Sequence, residues 1–204
     1  QTAHFDAHAL MPDLNTQEAL IAEIVHRRGE AEPELLPGAE IFIDELFTAN
    51  EEKGALPRIG SARCYLVEFG FQVGGVRPGM VQQVSRLRDR GITLVLAHPE
   101  RFPDFLRNPA KLDTLRQAGM LLQVDLLSLV GHHGKESAKL ARTLVKKGAA
   151  DFVASDLHRA RDVGRLEQAL EELFLMDTSE FVRLASTNPR HLLRGRPEQV
   201  VRHA

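Results

Sequence analysis

The sequence is poor in the residue types that mark several common protein classes. It has one cysteine, Cys64, no tryptophan, one tyrosine, and aromatic residues make up 5% of its 204 positions. A single cysteine cannot form an internal disulfide or a cysteine-rich zinc module, and this usage is typical of the reducing cytoplasm. Cys64 opens an apolar run without a basic cluster to activate its thiol, so we expect it to pack in the core.

Long hydrophobic runs and an excess of one charge are also missing. No apolar run approaches the roughly 18 residues that a bilayer-spanning helix needs, and no signal peptide is visible. The 26 Lys and Arg residues against 28 Asp and Glu residues give a formal net charge of −2, and these charges are spread along the chain. We therefore expect a cytoplasmic protein that is not membrane-inserted and has no nucleic-acid partner.

Short apolar runs alternate with segments of helical periodicity along the chain. Strands are predicted over residues 40–43, 64–69, 92–97, 121–125 and 152–154. Helices are predicted over residues 15–29, 44–53, 78–91, 108–119, 134–147, 163–174 and 177–185. The alternation predicts a single α/β domain over residues 1–204, with right-handed βαβ units forming a parallel sheet or barrel. The glycine-rich stretch 70–79 is expected to be a loop that borders a site.

The first residues suggest a strand that is already under way. The chain starts at Gln1 without a methionine, and residues 1–4 are typical of the end of a strand. We therefore expect that a first strand and its helix precede this segment and are lacking from the sequence.

Acidic and imidazole side chains lie within or just after the predicted strands. Because the carboxyl ends of parallel strands meet at one edge of a sheet or barrel, we expect these side chains to converge. Carboxylates and imidazoles are the ligands of hydrolytic divalent metal sites, and bridged ions there lower the pKa of a bound water and shield phosphoryl oxygens. The pattern therefore predicts a metal-dependent phosphoester hydrolase built on Glu40, Glu68, His98, Asp156 and His158.

The strand-borne residues each have a purely structural alternative. Glu68 lies inside an apolar run, where an unpaired carboxylate costs several kcal/mol, so it needs a partner unless the pleat turns it to solvent. Glu40 has the same two interpretations. His98 follows the clearest buried strand and could instead satisfy a helix N-terminus.

The loop residues carry similar alternatives. Asp156 and His158 stand at i and i+2, which would place both side chains on one side of an extended segment, although Asp156 could simply cap the next helix. Arg101, just after His98, suits bidentate phosphate recognition, and its alternative is a surface salt bridge.

Taken together and in order, these residues resemble the PHP (polymerase and histidinol phosphatase) superfamily. The sequence is most similar to the bacterial manganese-dependent protein-tyrosine phosphatases that act on polysaccharide-export tyrosine kinases. The resemblance runs over nearly the whole chain and rests on residues 2–4, 37–40, 65–69, 97–102, 123–131 and 154–158. It implies a distorted parallel, TIM-like β/α barrel with a trinuclear metal centre.

The resemblance also implies roles for individual residues. Two to three divalent ions, expected to be Mn²⁺ with Fe or Zn as alternatives, would be held by His4, Glu40, Glu68, His98, Asp156 and His158. Arg101 would hold phosphate. The second phosphate arginine is expected to be Arg165, which follows Gly164 and opens a helix, with Arg161 as the alternative.

Two histidine segments depart from the family pattern. The family begins with an Asp-x-His-x-His strand, and Asp6 and His8 imitate only its first half because Leu10 takes the place of the second histidine. We expect His8 to be a loop residue with at most a minor role. His132 and His133 are expected in a loop near the site rather than among the ligands.

The expected reaction is hydrolysis of a phosphomonoester by in-line attack on phosphorus, with His158 or His98 as the candidate acid for the leaving phenolate. The expected partner is the phosphotyrosine tail of a bacterial tyrosine kinase, and a homo-oligomer is compatible with the sequence. Two alternatives stay open: a histidinol-phosphatase-like or other small-molecule phosphoesterase, and a non-catalytic PHP-fold binding module.

Overall fold

Six parallel strands form the centre of the molecule. The structure is a computed structural model that describes residues 3–5, 19, 22–24, 26, 35–36, 38–59, 63–69 and 76–203. Every neighbouring pair of strands is parallel, and the order across the sheet is the order along the chain. The strands are β1 (Ala3–Phe5), β2 (Ala39–Phe42), β3 (Cys64–Glu68), β4 (Thr93–Ala97), β5 (Leu121–Asp125) and β6 (Phe152–Ala154). The α/β prediction is confirmed, and this sequential order is the one found in β/α barrels.

Helices connect the strands as the periodicity predicts. The helices that follow β2 are α1 (Phe47–Glu52), α2 (Met80–Asp89), α3 (Pro103–Arg107), α4 (Ala110–Ala118), α5 (Leu126–Leu129), α6 (Lys135–Lys146), α7 (Val163–Met176), α8 (Thr178–Val182) and α9 (Asn188–Leu193). A π-helix, Arg183–Thr187, joins α8 to α9, and single 3₁₀ turns occur at Pro99–Arg101, Ala160–Asp162 and Pro197–Gln199. Helices α3 and α5 were not predicted, because four or five residues are too short to show helical periodicity.

Some sequence-based expectations lie outside the described residues. His8 and residues 70–75 of the predicted glycine-rich loop belong to this group. Of the predicted helix 15–29, residues 19, 22–24 and 26 are described, and they are helical.

The two faces of the sheet bury separate apolar clusters. Tyr65 and Val67 of β3 belong to the larger cluster, which lies between one face and the helices. Cys64 and Leu66 point to the opposite face, because side chains alternate along a strand. That second, smaller cluster also contains Val95, Ala97, Leu121, Phe152, Leu192 and Val200. Cys64 is fully buried, as predicted, and its burial raises the pKa of the thiol to about 12.

A buried polar clamp fixes the C-terminal segment against the amino ends of the strands. Asn188 is fully buried; its side chain donates to the carbonyls of Asp151 and Val201 and accepts from the Val201 N–H. The Arg183 guanidinium donates to the carbonyls of Ala150 and Val201 at 2.7 and 2.8 Å. Since Ala150 and Asp151 directly precede β6, the clamp lies at the end of the sheet opposite to the carboxyl ends of the strands.

Within the described residues, no helix combines the length and the apolar character needed to cross a bilayer.

Candidate metal and phosphate site

Two glutamates and a histidine from three adjacent strands meet inside the protein. Glu40 lies in β2, Glu68 ends β3 and His98 directly follows β4, and each is 2% exposed. Their ligand atoms all lie within 4.8 Å of one another. The strand register places Glu40 opposite Leu66, so both glutamates share the face of the smaller apolar cluster. The interpretation in which the pleat turns these carboxylates to solvent is wrong.

His98 makes the closest contact of this cluster. Its Nε2 lies 2.8 Å from Glu40 Oε1 and 4.0 Å from Glu68 Oε2. Burial acts to lower the pKa of His98, but the hydrogen bond and the charge of Glu40 outweigh it and raise that pKa. His98 has a φ of 33°, in the left-handed region that β-carbon-bearing residues rarely adopt, and Pro99 begins the next 3₁₀ turn. Such backbone geometry is concentrated at functional sites.

His4 lies in the neighbouring strand. In the register between β1 and β2, His4 is the partner of Glu40. The backbone of His4 therefore lies at the same level of the sheet as the cluster.

A second group, formed by Arg101, Asp156 and His158, lies beside the first. Arg101 Nη1 donates to Asp156 Oδ2 at 2.5 Å. His158 Nδ1 lies 2.7 Å from the carbonyl oxygen of Asp156, so Nδ1 carries the hydrogen and Nε2 keeps its lone pair. The charges of Arg101 and Asp156 also act on the pKa of His98, in opposite directions, which places both groups in one electrostatic environment.

The segment after β6 departs from the fully extended conformation that the sequence suggested, since Asp156 has a φ of 40°. The side chains of Asp156 and His158 nevertheless line the same cleft. The Asp156 carboxylate contacts Arg101, and the His158 side chain is half-exposed. Asp156 and His98 are the two non-glycine residues with positive φ in the described part of the chain.

Sequence reasoning did not assign a role to Asp125, at the end of β5, or to Glu100, in the 3₁₀ turn after β4. Asp125, which ends β5, lies 2.6 Å from His133 Nε2 and 3.8 Å from Arg101 Nη1. Glu100 is fully buried, and its Oε1 accepts from the Asp125 N–H and from Ser128 Oγ. Burial raises the pKa of Glu100 to about 7, against the lowering effect of the Ser128 hydrogen bond. Asp125 had the same signal as the predicted residues, since it is an acid at a strand end.

The second group lines a cleft of about 310 Å³. His132 and His133 are at its wall, as the prediction of a loop near the site implied. Arg165 Nη1 lies 2.5 Å from His132 Nδ1, which ties α7 to this loop. Arg165 and Arg161 are the two candidates for the second phosphate arginine. Of these, Arg165 contacts a residue of the cleft wall. The remaining lining residues are Arg101, Leu127, Asp156, His158, Arg159 and Asp162.

The donor set of the buried cluster fits a divalent cation. Two carboxylates concentrate negative charge in the interior, and such burial is costly unless a cation compensates it. Glu40, Glu68 and His98 lie close enough together for one ion to contact all three. Oxygen and imidazole ligands suit Mn²⁺, Fe²⁺ and Zn²⁺ alike, so the donor atoms do not select one metal.

The sequence model of one family, described as "Capsular polysaccharide synthesis, CpsB/CapC", matches residues 1–194. The chain belongs to this family. The resemblance drawn from the strand-end motifs is confirmed, because two relatives of the chain also carry the names of tyrosine phosphatases.

Two relatives of known name are similar over much of the chain. The tyrosine-protein phosphatase YwqE of Bacillus subtilis (strain 168) is 30% identical over 164 residues, which are 79% of this chain and 63% of YwqE. The putative tyrosine-protein phosphatase CapC of Staphylococcus aureus is 30% identical over 125 residues, 61% of this chain and 48% of CapC. The chain thus spans less than two thirds of the length of each of these two relatives.

A solved structure shows the same fold. It comes from work on YwqE from Bacillus subtilis and CpsB from Streptococcus pneumoniae, described as unique metal-dependent tyrosine phosphatases. The two structures superpose with a TM-score of 0.85 at 25% sequence identity. The aligned region covers 99% of this chain and 81% of the other chain.

Proposed function

We propose that this chain is a metal-dependent protein-tyrosine phosphatase. The observation that carries the proposal is the buried cluster of Glu40, Glu68 and His98 beside a cleft lined by Arg101. This arrangement pairs metal ligands with a guanidinium suited to phosphate, as phosphomonoester hydrolysis requires. The names of YwqE and CapC and the metal dependence ascribed to YwqE and CpsB support the same activity.

The proposed metal ligands are the six residues that the sequence singled out. Glu40, Glu68 and His98 would hold the buried part of a centre of two or three ions, with Mn²⁺ as the native metal. The outer ligands are proposed to be His4, Asp156 and His158. When bound, such ions supply an activated water and neutralise charge on the phosphoryl oxygens.

The protein residues position the substrate and exclude water. Arg101 binds two phosphoryl oxygens through its planar fork of donors, and Arg165 supplies a second positive charge from the first turn of α7. The Asp156 carboxylate holds Arg101 in place before phosphate arrives. Burial of the Glu40 and Glu68 carboxylates keeps the electrostatic interactions of the cluster strong, because little solvent screens them.

The proposed substrate is the phosphotyrosine tail of a tyrosine kinase in capsule or exopolysaccharide synthesis. The family description supports the pathway, and the relatives' names support phosphotyrosine. We place the protein in the cytoplasm, where a chain with one unpaired cysteine stays reduced.

The decisive experiment measures phosphate release by the purified chain from a phosphotyrosine peptide, with added Mn²⁺ and with EDTA. Histidinol phosphate and a phosphoserine peptide of the same sequence are the comparison substrates. We expect Mn²⁺-dependent release from the phosphotyrosine peptide and little from the other two. Faster turnover of histidinol phosphate would favour a small-molecule phosphoesterase, and no release by folded, metal-loaded protein would contradict an enzymatic role.

A further inference from the structure

An aspartate–histidine pair lies at the wall of the proposed phosphate cleft and is not part of the proposed metal ligand set. His133 Nε2 lies 2.6 Å from Asp125 Oδ2. The Asp125 side chain is 1% exposed and that of His133 is 24% exposed, so a buried carboxylate supports an accessible imidazole. His133 lines the same cleft as Arg101, Asp156 and His158.

The carboxylate of this pair is held in a fixed orientation. Asp125 Oδ1 accepts a hydrogen bond from the Leu127 N–H at 2.8 Å, which caps the short helix α5. The Asp125 N–H donates to Glu100 Oε1 at 3.0 Å, and Ser128 Oγ donates to the same oxygen at 2.7 Å. These bonds leave Oδ2 directed at His133, so the imidazole is oriented before substrate binds.

The nearest polar atoms determine which ring nitrogen can carry a mobile proton, and for His133 this atom is Asp125 Oδ2, 2.6 Å from Nε2. An ionised carboxylate only accepts, so His133 Nε2 keeps its hydrogen and Nδ1 is the nitrogen that gains or loses one. At His132 the situation is reversed, because Arg165 always donates and His132 Nδ1, 2.5 Å away, must accept. His98 and His158 are proposed metal ligands, and a nitrogen that binds a metal cannot also carry the proton.

We propose that His133 is the general acid for the leaving phenolate and that Asp125 is its positioning residue. The inference rests on the proposed phosphatase function. A water oxygen forms a bond to phosphorus while the bond from phosphorus to the tyrosine oxygen breaks. The electron pair of that bond stays on the tyrosine oxygen, which takes the proton from His133 Nδ1. One proton of the attacking water stays on phosphate, and the other passes to solvent, from which His133 regains its own.

The test uses substrates that differ in their need for an acid. A phosphotyrosine peptide expels a phenolate with a pKa of about 10, whereas 2,4-dinitrophenyl phosphate expels a far weaker base that needs no proton. We expect His133→Gln to lower kcat/KM for the peptide by about 10²-fold or more, the usual contribution of a general acid. Turnover of 2,4-dinitrophenyl phosphate should stay within roughly threefold of wild type. Asp125→Asn should also lower kcat/KM for the peptide much more than turnover of 2,4-dinitrophenyl phosphate. His26→Gln, at an exposed helical residue, should leave the turnover of both substrates unchanged.

Equal losses on both substrates would assign His133 a structural role, and unchanged peptide turnover would exclude it as the acid; either result overturns the proposal. If wild-type protein with Mn²⁺ hydrolyses neither substrate, the phosphatase function itself fails, and the role of His133 fails with it. Nitrogen-15 NMR of the His133 ring tests the geometry without turnover. In the neutral ring of the wild type we expect the hydrogen on Nε2, and a neutral ring that carries its hydrogen on Nδ1 would contradict the arrangement.

Discussion

The individual side chains of the site are held under constraints that their neighbours impose. His98 adopts a left-handed backbone conformation and a buried contact with Glu40, and Asp156 adopts the same rare conformation while binding Arg101. Conformations of this kind cost of order 1–3 kcal/mol each and persist where the surrounding structure enforces them. The backbone conformations of His98 and Asp156 therefore cost some folding free energy, and they hold the two side chains of the proposed site in fixed positions.

Substitution of His98 by alanine should abolish measurable turnover of a phosphotyrosine peptide. The change removes one of three buried ligands, and even the outer-shell partners of metal ligands contribute about 10- to 100-fold in affinity or activity. Elemental analysis should show fewer bound ions in the same variant. His26→Ala, which alters an exposed helical residue, is the control and should keep both properties. Near-normal activity of His98→Ala would disprove the assignment of the site.

Substitution of Arg101 by lysine should weaken substrate binding although the charge is kept. Lysine cannot form two parallel bonds to phosphate, and a charge-assisted hydrogen bond is worth about 1.5–3 kcal/mol. We therefore expect kcat/KM to fall by about 10- to 100-fold, chiefly through KM, in steady-state assays. Arg107→Lys, at an exposed residue that ends α3, provides the matched change elsewhere and should have no effect. An unaltered KM in Arg101→Lys would show that Arg101 does not hold phosphate.

Secondary-structure elements away from the site secure the opposite end of the sheet. The π-helix carries Arg183, whose guanidinium pairs with Glu180 at 2.6 Å while it binds two backbone carbonyls. Both residues are largely buried, so the ion pair is shielded from salt and solvent. This element joins α8, the start of β6 and the C-terminal segment, and we expect it to govern stability.

Substitution of Arg183 by alanine should destabilise the fold by about 1.5–3 kcal/mol at neutral pH, because the largely buried Glu180 carboxylate loses its guanidinium partner and keeps His203 at 2.9 Å. The Arg183 hydrogen bond lowers the pKa of Glu180, so the ion pair stabilises the fold above the ordinary glutamate pKa and loses this effect as pH falls through the lowered value. Urea unfolding at pH 7 and pH 3 should therefore show a larger difference between variant and wild type at pH 7. Arg194→Ala, at an exposed arginine, serves as the control. Equal losses in the free energy of unfolding for the two substitutions would show that Arg183 does not stabilise the fold through its buried contacts.

The strands and helices could be predicted from the sequence more reliably than the loops that connect them. Glu40, Glu68 and His98 could be assigned to one edge because apolar runs mark their strands and parallel strands share an edge. The positive φ of Asp156 could not be predicted, since such a conformation in a residue other than glycine is imposed by tertiary contacts such as the one with Arg101. The link from Asp125 to His133 was missed because the loop after α5 must fold back before the two meet.

At the scale of the whole molecule, metal binding at the proposed site would be coupled to stability. The Glu40 and Glu68 carboxylates are buried by strands and helices that meet only in the folded state, so any cation that they bind favours folding over unfolding. The single buried thiol of Cys64 provides a probe of that equilibrium, because its burial and raised pKa keep it unreactive until the sheet opens.

Substitution of Glu68 by glutamine should remove most of the stabilisation that Mn²⁺ gives to the protein. For the wild type we expect about 2.7 kcal/mol at a Mn²⁺ concentration 100 times the Kd, seen as a higher Tm and slower labelling of Cys64. In EDTA the variant should be at least as stable as wild type, because one buried charge is gone. Glu167→Gln, an exposed change in α7, should leave the Mn²⁺ effect intact. A full Mn²⁺ effect in Glu68→Gln would place the metal elsewhere.

The strand order has a consequence for how the protein is made. Because β1 to β6 pair in the order in which they are synthesised, each strand can dock on a partner that has already left the ribosome, without waiting for a distant segment. The proposed ligands are distributed differently, since Glu40 lies in β2 and Asp156 lies beyond β6. The nascent chain can therefore acquire most of its sheet early, whereas the proposed metal and phosphate site would be complete only after the last strand emerges.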